Sequence, residues 1–507
     1  MIGTGGRSVP APCGAVRAAL MLATLALPAC HGRPPTIVPP PPTAPRINEL
    51  RQNIATILAA PTLARGTWGV LVKSLSNDET LFALNAHKLM MPASTQKVLT
   101  LAVAADQLGW DFSYRTSVLT VGKIDDGVLK GDLLIVGFGD PTTFDDWAGS
   151  ASSLFHEWAV VLKRIGIQKV EGRVIGDDSA FDDEGLGAGW AWDDLAASYA
   201  TSVGALQFNQ NTARLVITPS APGEPAHIQV TPEAAHLTVL NRTTTGAGGP
   251  LTVRPIPRSP TIEVDGAVAP SSERILRNVS VPNPTIYFVN AVRDGLIQNG
   301  IEVEGPATDI DDLPAPLDRS NAAIYIEAFS NGLASVGVPM MKMSQNLYAE
   351  TLLKTIGLQM SGVGSTAAGR AVLDSTLADW GVAAGEALEV DGSGLSRYNL
   401  VTPDALAIVL RHVYQDERLR DPFIATLPRA GVDGTLEDRM KGTPAADNLR
   451  AKTGSFSNAR SVAGYLRTAD GEPLEVVIMA NNYGASPRVI DDATDAILVA
   501  LAKFSRR

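Results

Sequence analysis

Residues 93–108, ASTQKVLTLAVAADQL, combine a helical pattern of apolar residues with a serine and a lysine at the start. The apolar positions recur at intervals of three and four, which predicts a buried amphipathic helix. Ser94 and Lys97 fall in its first turn, three residues apart, so their side chains share one face. A serine hydroxyl becomes nucleophilic when a base removes its proton, and a buried lysine with a lowered pKa can be that base. The stretch predicts a Ser94 nucleophile activated by Lys97, although a helix-capping serine beside a solvated lysine gives the same pattern.

Two shorter stretches supply the other groups that such a pair needs. Ser344-Gln345-Asn346 precedes a helical run and offers a hydroxyl to relay a proton and an amide to hold a peptide backbone. Lys452-Thr453-Gly454-Ser455 stands at the end of a predicted strand, where glycine lets a substrate backbone lie against the strand edge. Lysine and hydroxyl groups there can bind a terminal carboxylate. Catalytic roles are therefore predicted for Ser344, Asn346 and Lys452, and substrate contacts for Thr453, Gly454 and Ser455.

In chain order these stretches are Ser-x-x-Lys, Ser-x-Asn and Lys-Thr-Gly, the set found in class A β-lactamases and penicillin-binding proteins. Nearly half of the chain separates Ser94 from Ser344, whereas β-lactamases place the second motif much closer to the first. The chain therefore resembles the class C low-molecular-mass penicillin-binding proteins, the D-alanyl-D-alanine carboxypeptidase/endopeptidase family, which carry accessory domains in that interval. Four other stretches resemble the same family, namely residues 137–142, 176–179, 189–195 and 391–397.

The resemblance implies an α/β (α+β) fold with a serine β-lactamase/transpeptidase-like catalytic domain. Its antiparallel sheet is expected to be flanked by helices and interrupted by a large β-rich insertion. The catalytic domain is expected at residues 47–110 and 322–507, and the insertion, with two nested subdomains, at 111–321.

Local patterns predict some of the elements of this fold. Alternation and turn residues predict two hairpins, with strands at residues 68–73 and 81–85 and at 460–467 and 474–482. Helical spacing predicts further helices at residues 51–60, 346–356, 369–380 and 490–504, and one helix inside the insertion at 154–165.

The resemblance also implies a serine-type D-Ala-D-Ala carboxypeptidase, with D-alanyl-endopeptidase activity on cross-links, that works through a Ser94 acyl-enzyme. Its substrates would be peptidoglycan peptides ending in D-Ala-D-Ala, and β-lactams, which mimic that dipeptide, would acylate Ser94. The oxyanion would be held by the backbone N–H groups of Ser94 and Ser455. The loop 391–397 is expected beside the cleft, with Ser393 or Arg397 touching substrate. No cofactor and no metal are expected.

Composition narrows the range of partners. A net charge of −11 with no basic run argues against binding to nucleic acid, because phosphate affinity depends on clustered lysine and arginine. The two cysteines, Cys13 and Cys30, both lie near the N-terminus, so no disulfide is expected in the folded body. The histidines are scattered, and His156-Glu157 lacks the second histidine that a zinc-peptidase helix carries four residues after the first. This pattern argues against a metallopeptidase.

The N-terminus predicts export. Residues 1–29 have arginines, then an apolar stretch at 18–27, then small residues, as a signal peptide does. Leu27-Pro28-Ala29-Cys30 resembles a bacterial lipobox, which predicts lipidation of Cys30, and an ordinary signal peptide cut nearby is the alternative. The prolines of residues 30–46 predict an extended linker. The protein is expected in the periplasm or cell envelope, with a lipid anchor to the membrane if Cys30 is acylated.

Two other functions are compatible with the same fold. A β-lactamase-like hydrolase would shed its acyl group quickly, but no stretch supplies an obvious deacylating carboxylate. A non-catalytic wall-binding lipoprotein would have lost turnover, and five intact motif residues argue against it, namely Ser94, Lys97, Ser344, Asn346 and Lys452. The sequence favours the peptidase over both.

Overall fold

The computed structural model describes residues 45–144, 152–235, 237–256, 259 and 261–506. The predicted signal segment at 1–29, Cys30 and most of the predicted linker lie outside these residues. The first described helix begins at Pro45, so the last two residues assigned to the linker are helical, and the helix starts earlier than the predicted residue 51. Proline suits the first helical position, since its missing N–H would have no partner there.

The described residues contain the following elements. The α-helices are α1 Pro45–Leu58, α2 Gln96–Leu108, α3 Ser152–Arg164, α4 Pro284–Gln298, α5 Leu333–Lys342, α6 Asn346–Ser361, α7 Thr366–Asp379, α8 Pro403–Gln415, α9 Glu417–Thr426 and α10 Pro487–Lys503. The strands are β1 Thr67–Ser74, β2 Thr80–Leu84, β3 Arg115–Asp125, β4 Val128–Gly137, β5 Lys169–Val170, β6 Val174–Asp177, β7 Thr212–Thr218, β8 His227–Thr231, β9 Thr238–Thr245, β10 Thr252–Pro255, β11 Thr261–Val268, β12 Ile275–Ser280, β13 Glu302–Val303, β14 Ala307–Asp309, β15 Ala322–Phe329, β16 Ala387–Leu388, β17 Leu400–Val401, β18 Arg450–Phe456, β19 Ala459–Arg467 and β20 Pro473–Asn481.

A five-stranded antiparallel sheet joins the two ends of the described chain. Its order is β18-β19-β20-β1-β2, so the early hairpin β1–β2 adds to the late hairpin β19–β20 through pairing of β1 with β20. Both hairpins were predicted, and this pairing brings them into one sheet. The predicted antiparallel sheet is confirmed.

Helices cover both faces of this sheet. Because side chains alternate along a strand, Val477 and Met479 of β20 face one core while Val476 and Ile478 face the other. The first core is shared with helices α2, α5, α6 and α8, and the second with α1 and α10. The sheet therefore lies between two helical layers, which confirms the predicted α/β (α+β) class.

Helix α2 is at the centre of the larger helical layer. Its residues from Gln96 to Ala105 are all buried, including Lys97 and Thr100. The helix begins two residues after Ser94, which lies in a 3-10 turn at Ala93–Thr95 that leads into it. Ser94 was predicted in the first turn of the α-helix, whereas it lies in the 3-10 turn two residues before the α-helix begins.

The long segment between α2 and α5 builds three further sheets. A seven-stranded mixed sheet contains the path β13-β5-β4-β3-β15 with β6 and β14, and two three-stranded sheets have the orders β10-β11-β9 and β12-β7-β8. Helices α3 and α4 pack with these strands around a hydrophobic core that belongs to this segment. Strand β15 pairs with β3, so sheet pairing groups residues 322–329 with the inserted segment rather than with the catalytic part. The proposed division into domains otherwise stays a prediction.

The insertion contains a second helix that was not predicted. Helix α3 matches the predicted helix, but α4 is rich in aromatic and β-branched residues, such as Tyr287, Phe288 and Val289, which favour strands. A cap signal was nevertheless present, because Asn283 accepts a hydrogen bond from the Ile286 N–H at 2.9 Å and Pro284 occupies the first turn. Burial in the insertion core outweighs the strand propensity.

Helices α5, α8 and α9 also have no predicted counterpart. No helix among the described residues is both long enough and apolar enough to cross a membrane.

Shortening Leu101 tests the central position of α2. Leu101 is fully buried, and its side chain lies against α5 where Gly337 leaves room for it. Leu101→Ala leaves a cavity and should lower the free energy of unfolding by about 2–5 kcal/mol, measured by urea denaturation. Leu388→Ala, at a leucine that is 44% exposed, is the matched control and should change it far less. Equal losses in the two variants would contradict a central role for α2.

Candidate active site

Ser94 and Lys97 meet at the start of α2. The Lys97 Nζ lies 3.1 Å from the Ser94 Oγ and donates hydrogen bonds to the Asn346 Oδ1 at 2.6 Å and the Ser393 carbonyl at 2.7 Å. Lys97 is fully buried. The helix-capping alternative does not describe this pair, because the lysine is not solvated. The three partners of the Lys97 amine come from three separate segments of the chain.

Burial changes the protonation of this amine. It lowers the pKa of Lys97 from its usual value to about 7, because the charged form loses its hydration, while the nearby Glu350 and Asp391 carboxylates oppose that effect. A substantial fraction of Lys97 is therefore neutral near neutral pH. A neutral amine beside a hydroxyl can accept its proton.

The second motif lies at the start of α6. Asn346 is the first residue of that helix, as predicted, and Ser344 precedes it with a φ of 60°, a left-handed conformation that costs energy for serine. The Ser344 Oγ accepts a hydrogen bond from the Lys452 Nζ at 2.9 Å. Asn346 also donates through its Nδ2 to the Tyr199 carbonyl at 2.7 Å. Both ends of the Asn346 amide are thus bound inside the protein, one of them to Lys97.

The third motif lies in β18, at the edge of the five-stranded sheet. Lys452 is fully buried and also donates to the Thr453 carbonyl at 2.7 Å. Burial lowers the pKa of Lys452 well below its usual value, and the Lys97 charge lowers it further. The sequence predicted this motif at the end of a strand. The strand in fact continues to Phe456, so the motif lies within it.

Gly454 is required where β18 meets the turn that carries Ser94. A Cβ at this position would lie 2.2 Å from the Ser461 Oγ, 2.5 Å from the Pro92 carbonyl oxygen and 3.0 Å from the Ser94 nitrogen. The Ser461 Oγ donates to the same Pro92 carbonyl at 2.5 Å. The absence of a side chain at Gly454 therefore lets the nucleophile turn pack on the strand.

These motifs border one cleft of about 800 Å³. Among the predicted site residues, Ser94, Ser344, Asn346, Arg397, Thr453 and Ser455 line it. Lys97, Lys452, Gly454 and Ser393 are not among its lining residues. Two arginines and two aspartates add charge to the lining, namely Arg397, Arg460, Asp193 and Asp194.

The two residues predicted as substrate contacts in the loop 391–397 differ in position. Arg397 borders the cleft, donates to the Asn458 Oδ1 at 2.7 Å and lies over the Phe456 ring. Ser393 is fully buried, and its Oγ accepts from the Leu395 N–H at 3.2 Å. Its side chain is therefore not available to substrate in this structure, and its contribution to the site is the backbone carbonyl that Lys97 contacts.

Several residues of the site were missed by sequence reasoning. Glu350 is buried one turn after Asn346, and that four-residue spacing on a helix was a usable signal. Thr435 lies in a 3-10 turn at Gly434–Leu436, and its Oγ1 is 2.6 Å from the Thr453 Oγ1. Tyr199 lies in an irregular segment, and neither residue belongs to a motif. Only the fold brings those segments to the cleft.

Two groups of residues in the described part of the chain have the spacing of metal ligands. One is His87, Glu386 and Asp404, and the other is Asp178, Asp309 and Asp311. None of these six residues lines the cleft.

The antiparallel sheet between helical layers and the meeting of three motifs at one cleft place the chain among proteins with the serine β-lactamase/transpeptidase-like fold of penicillin-binding proteins. Within that class the family is established. The model of the D-Ala-D-Ala carboxypeptidase 3 (S13) family matches residues 50–504, and the chain belongs to that family. The resemblance inferred from the motifs is confirmed.

Individual relatives agree with this assignment. The chain is 31% identical to a D-alanyl-D-alanine carboxypeptidase of Actinomadura sp. (strain R39), over 99% of this chain and 92% of the relative. It is 29% identical to the D-alanyl-D-alanine carboxypeptidase DacB of Haemophilus influenzae, over 82% and 85% of the two chains.

Solved structures show the same fold. Penicillin binding protein 4 (dacB) from Haemophilus influenzae superposes with a TM-score of 0.77 and 26% identity, covering 90% of this chain and 98% of that one. A structure of that protein complexed with a β-lactam superposes with a TM-score of 0.73 and 25% identity, with the same coverage. The protein is thus a hydrolase of the penicillin-binding carboxypeptidase class. Enzymes of this family act in the cell envelope.

Substituting Gly454 tests the packing of the nucleophile turn on β18. Gly454→Ala should lower the free energy of unfolding by about 1–3 kcal/mol, because the added methyl group overlaps the Pro92 carbonyl and the Ser461 hydroxyl. Urea denaturation measures the change. Gly246→Ala is the control, because a Cβ there meets nothing within 4 Å. A Gly454→Ala protein as stable as the control variant would show that the turn does not depend on this contact.

Proposed function

We propose that the protein is a serine-type D-Ala-D-Ala carboxypeptidase in which Ser94 forms the acyl-enzyme. The observation that supports this most directly is the position of Lys97, an amine without solvent contact 3.1 Å from the Ser94 hydroxyl. Solvated lysines are cations and cannot accept a proton at neutral pH. This lysine can, because burial lowers its pKa to about 7.

In the first step, neutral Lys97 takes the Ser94 proton as the Ser94 Oγ bonds to the carbonyl carbon of the penultimate D-alanine. The backbone N–H groups of Ser94 and Ser455 are the proposed donors to the oxyanion. Asn346 and the Ser393 carbonyl hold the Lys97 amine by two short hydrogen bonds, so the base needs little reorganisation. In this proposal Asn346 orients Lys97 rather than binding the substrate amide.

Collapse of the tetrahedral intermediate breaks the peptide C–N bond, and the departing amine needs a proton. Ser344 is the proposed donor because its hydroxyl borders the cleft and contacts Lys452 at 2.9 Å. Lys452 or Lys97 can then return a proton to Ser344. Water then attacks the ester carbonyl carbon and gives a proton to neutral Lys97. The bond between the acyl carbon and the Ser94 Oγ breaks, Lys97 returns that proton to Ser94, and the shortened peptide leaves.

The terminal carboxylate of the substrate is proposed to bind along β18. Thr453 and Ser455 border the cleft, and the buried Lys452 amine donates to the Thr453 carbonyl at 2.7 Å. A buried amine beside a carboxylate gains a favourable charge interaction on substrate binding, and that interaction favours its protonated form. Lys452 is therefore assigned to electrostatic support and proton return.

We also propose that the enzyme cleaves D-alanyl cross-links in peptidoglycan. The support is the size and charge of the cleft, which at about 800 Å³ exceeds the needs of a dipeptide and carries both aspartates and arginines. Chromatography of cross-linked muropeptides after incubation with the enzyme would distinguish endopeptidase products from carboxypeptidase products.

The proposal also includes export through the segment 1–29 and a lipid anchor at Cys30.

Acylation by benzylpenicillin tests the nucleophile. Intact-protein mass spectrometry should detect a stable adduct on the wild-type protein and none on Ser94→Ala, because the ester cannot form without that hydroxyl. Ser457→Ala, at a cleft serine outside the three motifs, is the matched control and should still be acylated. An adduct on Ser94→Ala would refute the assignment, and rapid loss of penicillin without an adduct would indicate a β-lactamase.

The pH dependence of acylation tests the base. Lys97 is cationic below its pKa and neutral above it, so the second-order rate constant should rise through about pH 7 and level off at higher pH. Below pH 6 it should fall by about tenfold for each pH unit. Stopped-flow acylation with a fluorescent penicillin measures the profile, with circular dichroism at each pH to confirm folding. A rate that stays constant from pH 5 to pH 8 would exclude Lys97 as the base.

A further inference from the structure

Glu350 is a buried carboxylate directly behind the base, and the mechanism above does not use it. It lies four residues after Asn346 on α6, so the two side chains share one face of the helix. Asn346 contacts the Lys97 amine directly. Glu350 is one turn further from the cleft and does not line it. Its exposed fraction is 3%, so the carboxylate has lost nearly all of its hydration.

Both oxygens of Glu350 bind the backbone of the loop 391–397. The Oε2 accepts from the Gly392 N–H at 3.0 Å, and the Oε1 accepts from the Ser393 N–H at 2.8 Å. The carbonyl of the same Ser393 accepts from the Lys97 Nζ at 2.7 Å. One residue of the loop therefore connects the carboxylate to the base. Burial and the Asp391 charge raise the pKa of Glu350 to about 7, whereas the Ser393 hydroxyl and the two N–H groups favour the ionised form. Glu350 is therefore ionised in part near pH 7, and its charge is present in full only at higher pH.

Glu350 provides the acceptor for two N–H groups of a loop that is packed tightly between α6 and α2. Gly392 packs so closely on α6 that a Cβ would lie 2.7 Å from the Ala349 carbonyl oxygen, and the Thr100 hydroxyl of α2 binds the Gly392 carbonyl at 2.7 Å. The two N–H groups at 392 and 393 are buried, and without an acceptor each would carry a desolvation penalty. Glu350 is their acceptor.

The charged groups around the Lys97 amine come from three sides. Glu350 faces it from α6, Asp391 from the loop and Lys452 from β18. Asp391 is already bound to the Gly394 and Ser396 N–H groups, which fold the loop itself. Lys354, one turn beyond Glu350, forms an ion pair with Asp182 and so points away from this group. Glu350 is the nearby carboxylate with the larger influence on Lys97.

We propose that Glu350 is a positioning residue for the Lys97 base, holding the Ser393 carbonyl against its amine and supplying the negative charge that balances its protonated form. This inference rests on the proposed function only in taking Lys97 as the base. The Glu350 side chain has two roles, because its oxygens bind the N–H groups of the loop 391–397 and its charge stabilises protonated Lys97. Removing the charge and moving the carboxylate should therefore have different effects.

Two substitutions separate the two roles. Glu350→Gln keeps the shape but removes the charge, so protonated Lys97 is less stabilised and its pKa falls. The acidic limb of the acylation rate should then move to lower pH by about one unit. Its plateau should also fall, because an amide NH₂ cannot accept from a backbone N–H. Glu350→Asp keeps the charge but withdraws the carboxylate by one methylene, so its plateau should fall at least about tenfold with a smaller shift of the limb.

The measurement is the pH profile of acylation by a fluorescent penicillin, with thermal unfolding of each variant. Glu327→Gln is the control, at an exposed carboxylate of β15 that pairs with Arg115 outside the cleft, and its profile should match the wild type. A Glu350→Gln protein that loses thermal stability but keeps the wild-type limb would overturn the charge role. If Glu350→Gln does not fold, a Glu350→Asp protein with the wild-type plateau would overturn the positioning role.

Failure of the proposed function would look different. A wild-type protein that forms no adduct, or whose profile has no limb near pH 7, would remove Lys97 as the base before Glu350 is considered. A wild-type limb near pH 7 that Glu350→Gln leaves in place would overturn the charge role of Glu350 and would leave the proposed function standing.

Discussion

A lysine amine buried without solvent needs acceptors from the protein, and the structure is organised around that need at Lys97. Its three contacts come from the turn before α2, from the start of α6 and from the loop 391–397. Each segment must be placed to within a few tenths of an ångström for these hydrogen bonds to form. Burial also makes the amine useful, because it lowers the lysine pKa to about 7.

Glycines and buried carboxylates hold those segments in place. Gly454 lets the nucleophile turn pack on β18, and Gly394, with a φ of +81°, lies so close to Ala93 that a Cβ would overlap its carbonyl. Asp391 accepts four hydrogen bonds, from the Gly394 and Ser396 N–H groups and from the Asn399 and Trp190 side chains. The packing of Gly394 on Ala93 and the hydrogen bonds of Asp391 therefore fix the conformation of the loop 391–397. The Ser393 carbonyl is thereby held against the Lys97 amine.

The inserted segment also helps to build the site. The Tyr199 carbonyl binds Asn346, the Trp190 indole binds Asp391, and Asp182 pairs with the buried Lys354 of α6. Residues 191, 193 and 194 border the cleft itself. The insertion is thus more than an appendage, because it contacts two of the segments that hold Lys97 and contributes one wall of the cleft.

Much of this protein was determined by local sequence. The Ser94/Lys97 pair, the start of α6 at Asn346 and the two hairpins of the main sheet follow from spacing and alternation, which depend only on helix and strand geometry. Family and fold followed from the order of three short motifs. Ser393 was expected to be one of two residues that touch substrate, whereas the structure buries its side chain and presents its backbone carbonyl to Lys97. Helix α4, the pairing of β15 with β3, the acceptor role of Glu350 and the contribution of Tyr199 were decided only by the tertiary structure. Each depends on contacts between residues far apart in the chain. The spacing of Glu350 from Asn346 places both on one helix face, but no periodic signal in a single sequence shows which distant groups they contact.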